Sequence, residues 1–410
     1  MNTMLSLAWR NLWRHRKRTW LTIGAMVFSN ILLVFMITLQ LGNYDMMIEN
    51  SLKAYSGQLQ IASKGYNQEP KMRLTIDDIV GTANELRSVA PTLTISSRAE
   101  TFVMASSEQR SFGLQIAGVE VAFEASVSSI PGLISEGQYL RSGDFPEIIL
   151  GKVLARNLKV SVGDEVTLLG SGYDGSFAAV VLEVRGIFES GLADLDRNLA
   201  QISLTSFQAL FSMGKRGHVI VANGPEITKV DTYQKNIRSV LNQPQAKLEI
   251  LNWKELNPGL QQAILSDMAS AWFMYAVLIV LVSFSVLNTQ LMSVLERTRE
   301  FGIMTAIGLR PSALARLVLL ETSAMAGMGL LIGTIFGLAL ALYLKQVGFS
   351  IPGMDDMAAQ YNLPARMHPA ISLVSIMSGP MAVFIGCLLA AVYPVIRLQS
   401  LQPVAAMRAA

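Results

Sequence analysis

Four long apolar stretches, nearly free of charge, constrain this chain more than any other feature. Trp20 to Leu41 is 22 residues without a charged side chain. At 1.5 Å per helical residue that is about 33 Å, enough to cross a hydrocarbon core of about 30 Å. Met268–Leu291, Thr322–Leu344 and Ile371–Ile396 repeat the pattern, and each is longer than the apolar run of an ordinary buried helix. Charged residues are only 15% of the 410-residue chain and apolar ones 51%, against a soluble average of about 25% charged. This composition excludes a disordered chain. A single cysteine excludes an internal disulfide. With three histidines (His15, His218, His368), it also argues against a His/Cys metal cluster. The first stretch follows a basic segment, as a signal peptide would. Its apolar part is far longer than the usual ~7–15 residues and no small-residue cleavage site follows, so it reads as an uncleaved anchor.

The placement of charge predicts orientation. Residues 1–19, 292–316 and 397–410 together carry eleven Lys and Arg against two acids, whereas the segment 42–267 carries 20 basic and 25 acidic residues. The positive-inside rule then puts 1–19, the loop 292–316 and the tail 397–410 in the cytoplasm. The segment 42–267 and the loop 345–370 lie outside. The expected organisation is a membrane protein with an α-helical transmembrane domain of four spans (20–41, 268–291, 322–344, 371–396). A mixed α+β extracytoplasmic domain, 42–267, is inserted between spans one and two. Trp20, Trp272, Tyr343 and Tyr393 fall at span ends, where aromatic side chains favour the membrane–water interface. In residues 1–19, Leu5, Ala8, Trp9, Leu12 and Trp13 share one helical face and Arg10, Arg14 and Lys17 the other, the pattern of an interfacial helix.

Within 42–267, Asp77–Val89 predicts an amphipathic helix ending before Pro91. Helices are also expected at 147–157, 206–213 and 229–241. Strands are expected at 58–61, 92–96, 101–105, 112–119, 165–169, 178–188, 201–204 and 247–251. No catalytic constellation emerges. Asp194 and Asp196 are neighbours in a loop, where such pairs are usually solvated or capping, and His218 precedes an apolar run that suits a structural role. The spans hold almost no ionisable group, unlike ion-coupled carriers and channels. Glu321, at the edge of the third span, reads as a partner between helices rather than a proton relay. Gly329, Gly333 and Gly337 recur every four residues, a spacing that lets helices approach closely, with a second copy among the expected partners. Gly379-Pro380 predicts a kink in the fourth span.

The most specific stretch is Glu296-Arg297-Thr298-Arg299-Glu300-Phe301-Gly302-Ile303-Met304-Thr305-Ala306-Ile307-Gly308-Leu309-Arg310-Pro311. A charged helix end leads into a short amphipathic helix. Gly308 suits its C-terminal cap and Pro311 the first turn of the next helix. This stretch resembles the E-R-x-x-E-[IFL]-G-[IV]-x-x-A-[LI]-G loop of MacB/LolC/LolE/FtsX-type permeases of ABC transporters. Ala8-Trp9-Arg10-Asn11-Leu12 with Arg18-Thr19 is similar to their start. Tyr393-Pro394 with Pro403-Val404-Ala405-Ala406-Met407-Arg408 is similar to their close. Gly151, Ala155, Leu158, Val162-Gly163-Asp164 and Val184, Gly186-Ile187-Phe188 resemble their extracytoplasmic domain.

The resemblance implies a non-enzymatic permease subunit in the bacterial inner membrane, working as a dimer with a second copy or a related permease. Two copies of a separate cytoplasmic ABC ATPase would supply ATP and magnesium. This chain itself would hold no cofactor, metal or catalytic residue and bind no nucleic acid. Its sequence has no G-x4-G-K-[ST], since Gly151-Lys152 and Gly214-Lys215 are followed by Val and Arg. On this analogy Glu296, Arg297, Glu300, Phe301, Gly302, Ile303, Met304 and Gly308 couple ATP hydrolysis to movement of the outside domain. That movement extracts or expels lipoprotein or other hydrophobic cargo. Val27, Phe28, Ile31, Phe35, Met274 and Val277 are candidates for lipid-cargo contact in the membrane. A periplasmic or outer-membrane partner would dock on 42–267. The alternative, from the FtsX branch, is a signalling permease that activates a periplasmic cell-wall hydrolase or sensor without transport. No nucleophile, metal set or acid/base pair supports a membrane enzyme.

Overall fold

The structure is a computed structural model and describes residues 2–14, 16–108, 110–241, 248–350 and 366–399. His15, the first residue of the expected strand 247–251, residues 351–365 of the loop 345–370 and Pro403–Arg408 lie outside the described residues. The chain divides into two compact units. One takes the described residues up to Asp45 with 263–350 and 366–399, and the other takes 46–262.

The first unit begins with α1 (Asn2–Leu12), and α2 (Arg16–Ser51) contains the first apolar stretch. A π-helical turn, Leu52–Ser56, follows and ends at Gly57 (φ 71°). The second unit then contains β1 (Leu59–Ser63), α3 (Ile79–Val89), β2 (Thr94–Ser106) and β3 (Ser111–Val119). Next come α4 (Val121–Val127), β4 (Ile134–Gly137), β5 (Glu147–Gly151), α5 (Lys152–Leu158), β6 (Glu165–Ser171) and β7 (Phe177–Phe188). It closes with α6 (Ala193–Asn198), β8 (Leu199–Ser203), α7 (Leu204–Leu210), β9 (Val219–Asn223), α8 (Val230–Val240), β10 (Leu248–Asn252) and α9 (Trp253–Leu256).

These strands form one mixed sheet whose pairings close on themselves, in the order β2–β3–β8–β5–β7–β6 and back to β2. The length of two strands makes this closure possible. In β2, Thr94–Arg98 pair with β9, Arg98–Ser106 with β3 and Met104–Ser106 with β6. β7 pairs with β4, β5 and β6 along its twelve residues. β9, β1 and β10 extend from β2 as an antiparallel wing. The β3–β8 and β5–β7 pairs are parallel and the other ladders antiparallel, which makes a mixed α+β domain.

Two expectations differ here. Residues 147–157 do not form one helix. Glu147–Gly151 is strand β5, buried throughout, and the helix starts only at Lys152. An apolar run of this length carries no period, and β-branched Ile148 and Ile149 favour the strand between β7 and β8. Residues 92–96 and 101–105 are not separate strands, because Thr94–Ser106 is continuous.

The membrane-type unit resumes with α10 (Pro258–Glu296), α11 (Thr298–Ala306), α12 (Pro311–Val347) and α13 (Leu373–Gln399). Among the described residues, four helices are long and apolar enough to cross a membrane, and α2, α10, α12 and α13 contain them. α13 continues through Pro380 and Pro394. All four contribute to one core, built on Met26, Leu33 and Ile37 with Tyr275, Val282, Val286, Ala326, Val383 and Cys387. The glycine stripe of α12 faces α2. A Cβ on Gly329 would lie 2.7 Å from that of Met26, on Gly333 2.5 Å from that of Asn30, and on Gly337 2.9 Å from that of Val34. Asn30 Nδ2 donates to the Gly329 carbonyl at 3.1 Å. The seam expected from the spacing is therefore a contact inside the chain, made where helix backbones meet closely.

Candidate functional site

The hairpin joining α10 to α12 has a locked base and an open tip. α10 stops at Glu296 because Arg297 leaves helical geometry (φ −102°, ψ 10°), and α11 starts one residue later. At its other end Ile307 N–H donates to the Ile303 carbonyl, Gly308 N–H to Thr305 and Leu309 N–H to Met304, each at 3.0 Å. Gly308 has φ 104°, a conformation in which any Cβ is strained. Pro311 then opens α12 at a position where its missing N–H costs nothing.

The side chains split into two sets. Phe301 is buried among Val294, Leu314, Ala315, Val318 and Val395, and Gly302 is buried beside it. Arg297 is only 8% exposed in its side chain. Its Nη1 donates to both Glu321 oxygens, at 3.1 and 3.2 Å, its Nε reaches Glu300 Oε2 at 3.4 Å, and its guanidinium lies 5.0 Å over the Phe301 ring. A buried pair of this kind is held by mutual satisfaction, because either member alone would be an uncompensated charge. These contacts pin α11 to α12.

Ile303 (45% exposed), Ile307 (82%) and Leu309 (38%) are open to solvent, and so are Arg299, Arg310 and Arg316 in the same stretch of chain. They lie outside the apolar stretches of α10 and α12, so a membrane core does not account for their exposure. An apolar ridge with cations in the same stretch of chain suits a groove on a partner.

The residues read from the sequence as one coupling set therefore divide. Arg297, Phe301 and Gly302 face inward and hold the hairpin. Glu296, Ile303 and Gly308 are exposed, and Glu300 and Met304 are half-buried. Ile307 and Leu309, which were left out of that set, complete the ridge. For Ile307 a partial signal was present, since Ile303 and Ile307 are one helical turn apart and so share a face.

The cargo candidates divide too. Phe28, Met274 and Val277 lie on the outside of the bundle. Val27 packs against the Leu12, Ile23 and Met325 cluster, Phe35 meets Phe349 edge-on at 5.7 Å, and Ile31 is half-buried. The sequence reasoning missed a polar clasp between α2 and α10, at the end opposite the hairpin. Tyr44 donates to Asp267 at 2.6 Å, Gln40 Nε2 donates to Tyr44 and Asp267, and Tyr275 donates to Gln40 Oε1. In the second unit Asp194 and Asp196 lie in the short helix α6 rather than in a loop; Asp196 is buried and accepts from the Ser190 N–H and hydroxyl, at 2.8 and 2.7 Å, while Asp194 is exposed. His218 is buried and stacked on Tyr66.

The MacB-like periplasmic core domain matches residues 19–240, more than half of the chain. The FtsX-like permease C-terminal domain matches residues 272–403. The chain belongs to this family of ABC transporter permeases. It is 25% identical over 283 residues to the lipoprotein-releasing system transmembrane protein LolC of Xylella fastidiosa, a match covering 66% of each chain. It is 26% identical to LolE of Haemophilus influenzae, over 71% of each chain. The macrolide export ATP-binding/permease protein MacB of Rhodospirillum rubrum is 28% identical over 64% of this permease but only 38% of its own length. The chain thus spans 66% of the LolC relative's length and well under half of MacB's. The periplasmic region of MacB from Actinobacillus actinomycetemcomitans superposes with a TM-score of 0.36 at 12% identity, covering 53% of this chain and 95% of that one.

Proposed function

We propose that this chain is the membrane subunit of an ABC transporter, driven by a separate ATP-hydrolysing subunit that docks on Ile303, Ile307 and Leu309. The observation that carries this reading is the division of the hairpin. Its base is fixed to α12 by Arg297 and Glu321, while its tip exposes an apolar ridge that the fold itself does not use. A ridge on a rigid base converts a push by a partner into displacement of whole helices rather than local bending. The basic bias of 1–19 and 292–316 supports a hairpin in the cytoplasm, where ATP is available, with the mixed-sheet domain outside an inner membrane. ATP and magnesium belong to the docked subunit. The part of MacB outside the match is consistent with this division, since that relative is named for ATP binding as well as permeation.

For cargo, the relatives LolC and LolE carry names for lipoprotein release. A lipid-anchored or otherwise hydrophobic substrate fits a bundle whose spans hold almost no ionisable group. Phe28, Met274 and Val277 offer it an apolar outer surface. A second permease, identical or related, completes the complex.

The test is affinity purification of the tagged chain from its native membrane in mild detergent. An ATP-binding subunit is expected with the wild-type chain. With Ile303→Asp/Ile307→Asp it should fall at least about tenfold at equal membrane levels, because two charges enter the desolvated centre of the contact. Phe177→Asp, an exposed change in the other unit, should leave its recovery unchanged. Equal recovery with the double variant would overturn the docking reading.

A further inference from the structure

Each acid at the base of the hairpin is held by a residue from the first eighteen of the chain. Arg14 Nη1 lies 2.8 Å from Glu300 Oε1, and Arg18 Nη1 lies 2.9 Å from Glu296 Oε2. Asn11 Nδ2 donates to Glu321 Oε1 at 2.8 Å, on the carboxylate that Arg297 also holds. Leu12 packs beside these ties against Ile23 and Met325, and Thr19 Oγ1 closes the turn between α1 and α2 on the Leu12 carbonyl at 2.7 Å. Asn11, Arg14 and Arg18 recur at spacings of three and four, so the ties run in sequence from the end of α1 through the turn into α2. Arg10, Arg16 and Lys17 remain exposed beside Trp9, Trp13 and Trp20, whose rings follow one another at 5.9 Å. The basic segment therefore does two jobs. Part of it suits the membrane interface, and the rest grips the hairpin.

The ties differ in strength. Arg297–Glu321 is buried, whereas Arg14–Glu300 and Arg18–Glu296 are each partly exposed to solvent. Exposed pairs are individually weak and exchange readily. We propose that α1 and the start of α2 form a strap, with Arg14 and Arg18 as positioning residues. The strap sets the angle of α11 and passes its displacement to the first span. This rests on the docking reading above and adds to it. Without the strap, a push on α11 reaches α2 only by way of α10 and α12, through helix packing and the more distant ties of Thr22 to Thr289 and Asn30 to the Gly329 carbonyl.

The experiment uses the complex copurified with its ATPase and compares hydrogen exchange with and without ATP plus vanadate. In the wild type, both α11 and the first turns of α2 are expected to change protection when the nucleotide is trapped. Arg18→Glu and Arg14→Glu should retain the ATPase and the α11 response, and reduce the α2 response about fivefold, the scale of one exposed tie. Arg18→Glu/Glu296→Arg and Arg14→Glu/Glu300→Arg should restore it, which a merely destabilising change would not do. An unaltered α2 response in the single variants overturns the strap while leaving docking intact. So does loss of the ATPase from the single variants without rescue in the pairs, which would make these arginines part of the docking surface. Failure of the wild-type chain to retain any ATPase overturns both readings.

Discussion

His218 shows how completely a polar side chain is absorbed into the extracytoplasmic domain. Its Nδ1 accepts the Glu100 N–H at 2.9 Å, so the proton of the neutral ring sits on Nε2, which faces the Met72 carbonyl at 3.2 Å. Burial pushes its pKa down from 6.5 to about 4. On strand β2, which pairs beside it, Arg98 is fully buried in a pair with Glu124, and Glu100 accepts from Tyr55 and Gln115. The native state prefers neutral His218, so its contribution is full above pH 6.5 and is lost as the pH falls toward 4. The shift corresponds to about 3 kcal/mol at most. Glu100, whose carboxyl is raised by burial, acts in the opposite direction. Denaturant unfolding of the full chain should therefore show a wild-type advantage over His218→Gln at pH 7.5 that shrinks by pH 4.5. An advantage independent of pH would contradict the assignment of the proton. The structural role of His218 was legible from the apolar run that follows it, but its partners were not. Glu100 and Met72 are brought to it by strand pairing and a loop, across separations that no local pattern encodes.

At the level of elements, the glycine stripe of α12 gives the most direct prediction. A Cβ at position 333 would sit 2.5 Å from the Asn30 Cβ and 3.1 Å from the Val27 carbonyl oxygen, so Gly333→Val must push α12 off α2. It should lower stability by about 1–3 kcal/mol, the usual scale of overpacking. Gly327 has nothing within 4 Å, and Gly327→Ala should be neutral or stabilising by up to about 1 kcal/mol. Thermal unfolding in detergent reads both, and equal effects would mean the stripe is not the seam. The spacing of four made the stripe visible in the sequence, but not its partner, because any second helix satisfies the same pattern. The α10–α12 hairpin was legible in more detail, since Gly308 and Pro311 are local signals with local causes. Strand β5 was misread as helix because a short apolar run has no period. The helical period puts Ile303 and Ile307 on a different face from Phe301, but which face turns inward was hidden, since both are apolar and only the position of α12 decides it.

At the scale of the whole molecule, four apolar stretches and one long polar insertion were enough to set the architecture. Span length is a global property that survives local misreadings. The polar clasp of Gln40, Tyr44, Asp267 and Tyr275 escaped notice because each residue alone looks like an ordinary span end. Ties between α2 and α10 now stand at both ends, since Arg18 meets Glu296 at the other. The two helices that flank the extracytoplasmic insertion in the chain are thus fastened together near the hairpin and away from it. The central claim is that an ATP-hydrolysing partner works on this bundle through the tip of the hairpin. A photoreactive residue at Ile307, irradiated in native membranes, measures this most directly. The account predicts an adduct with a protein that binds azido-ATP and carries a G-x4-G-K-[ST] sequence, and no such adduct from Phe177. Adducts from positions 303, 307 and 309 that never contain an ATP-binding protein would contradict it.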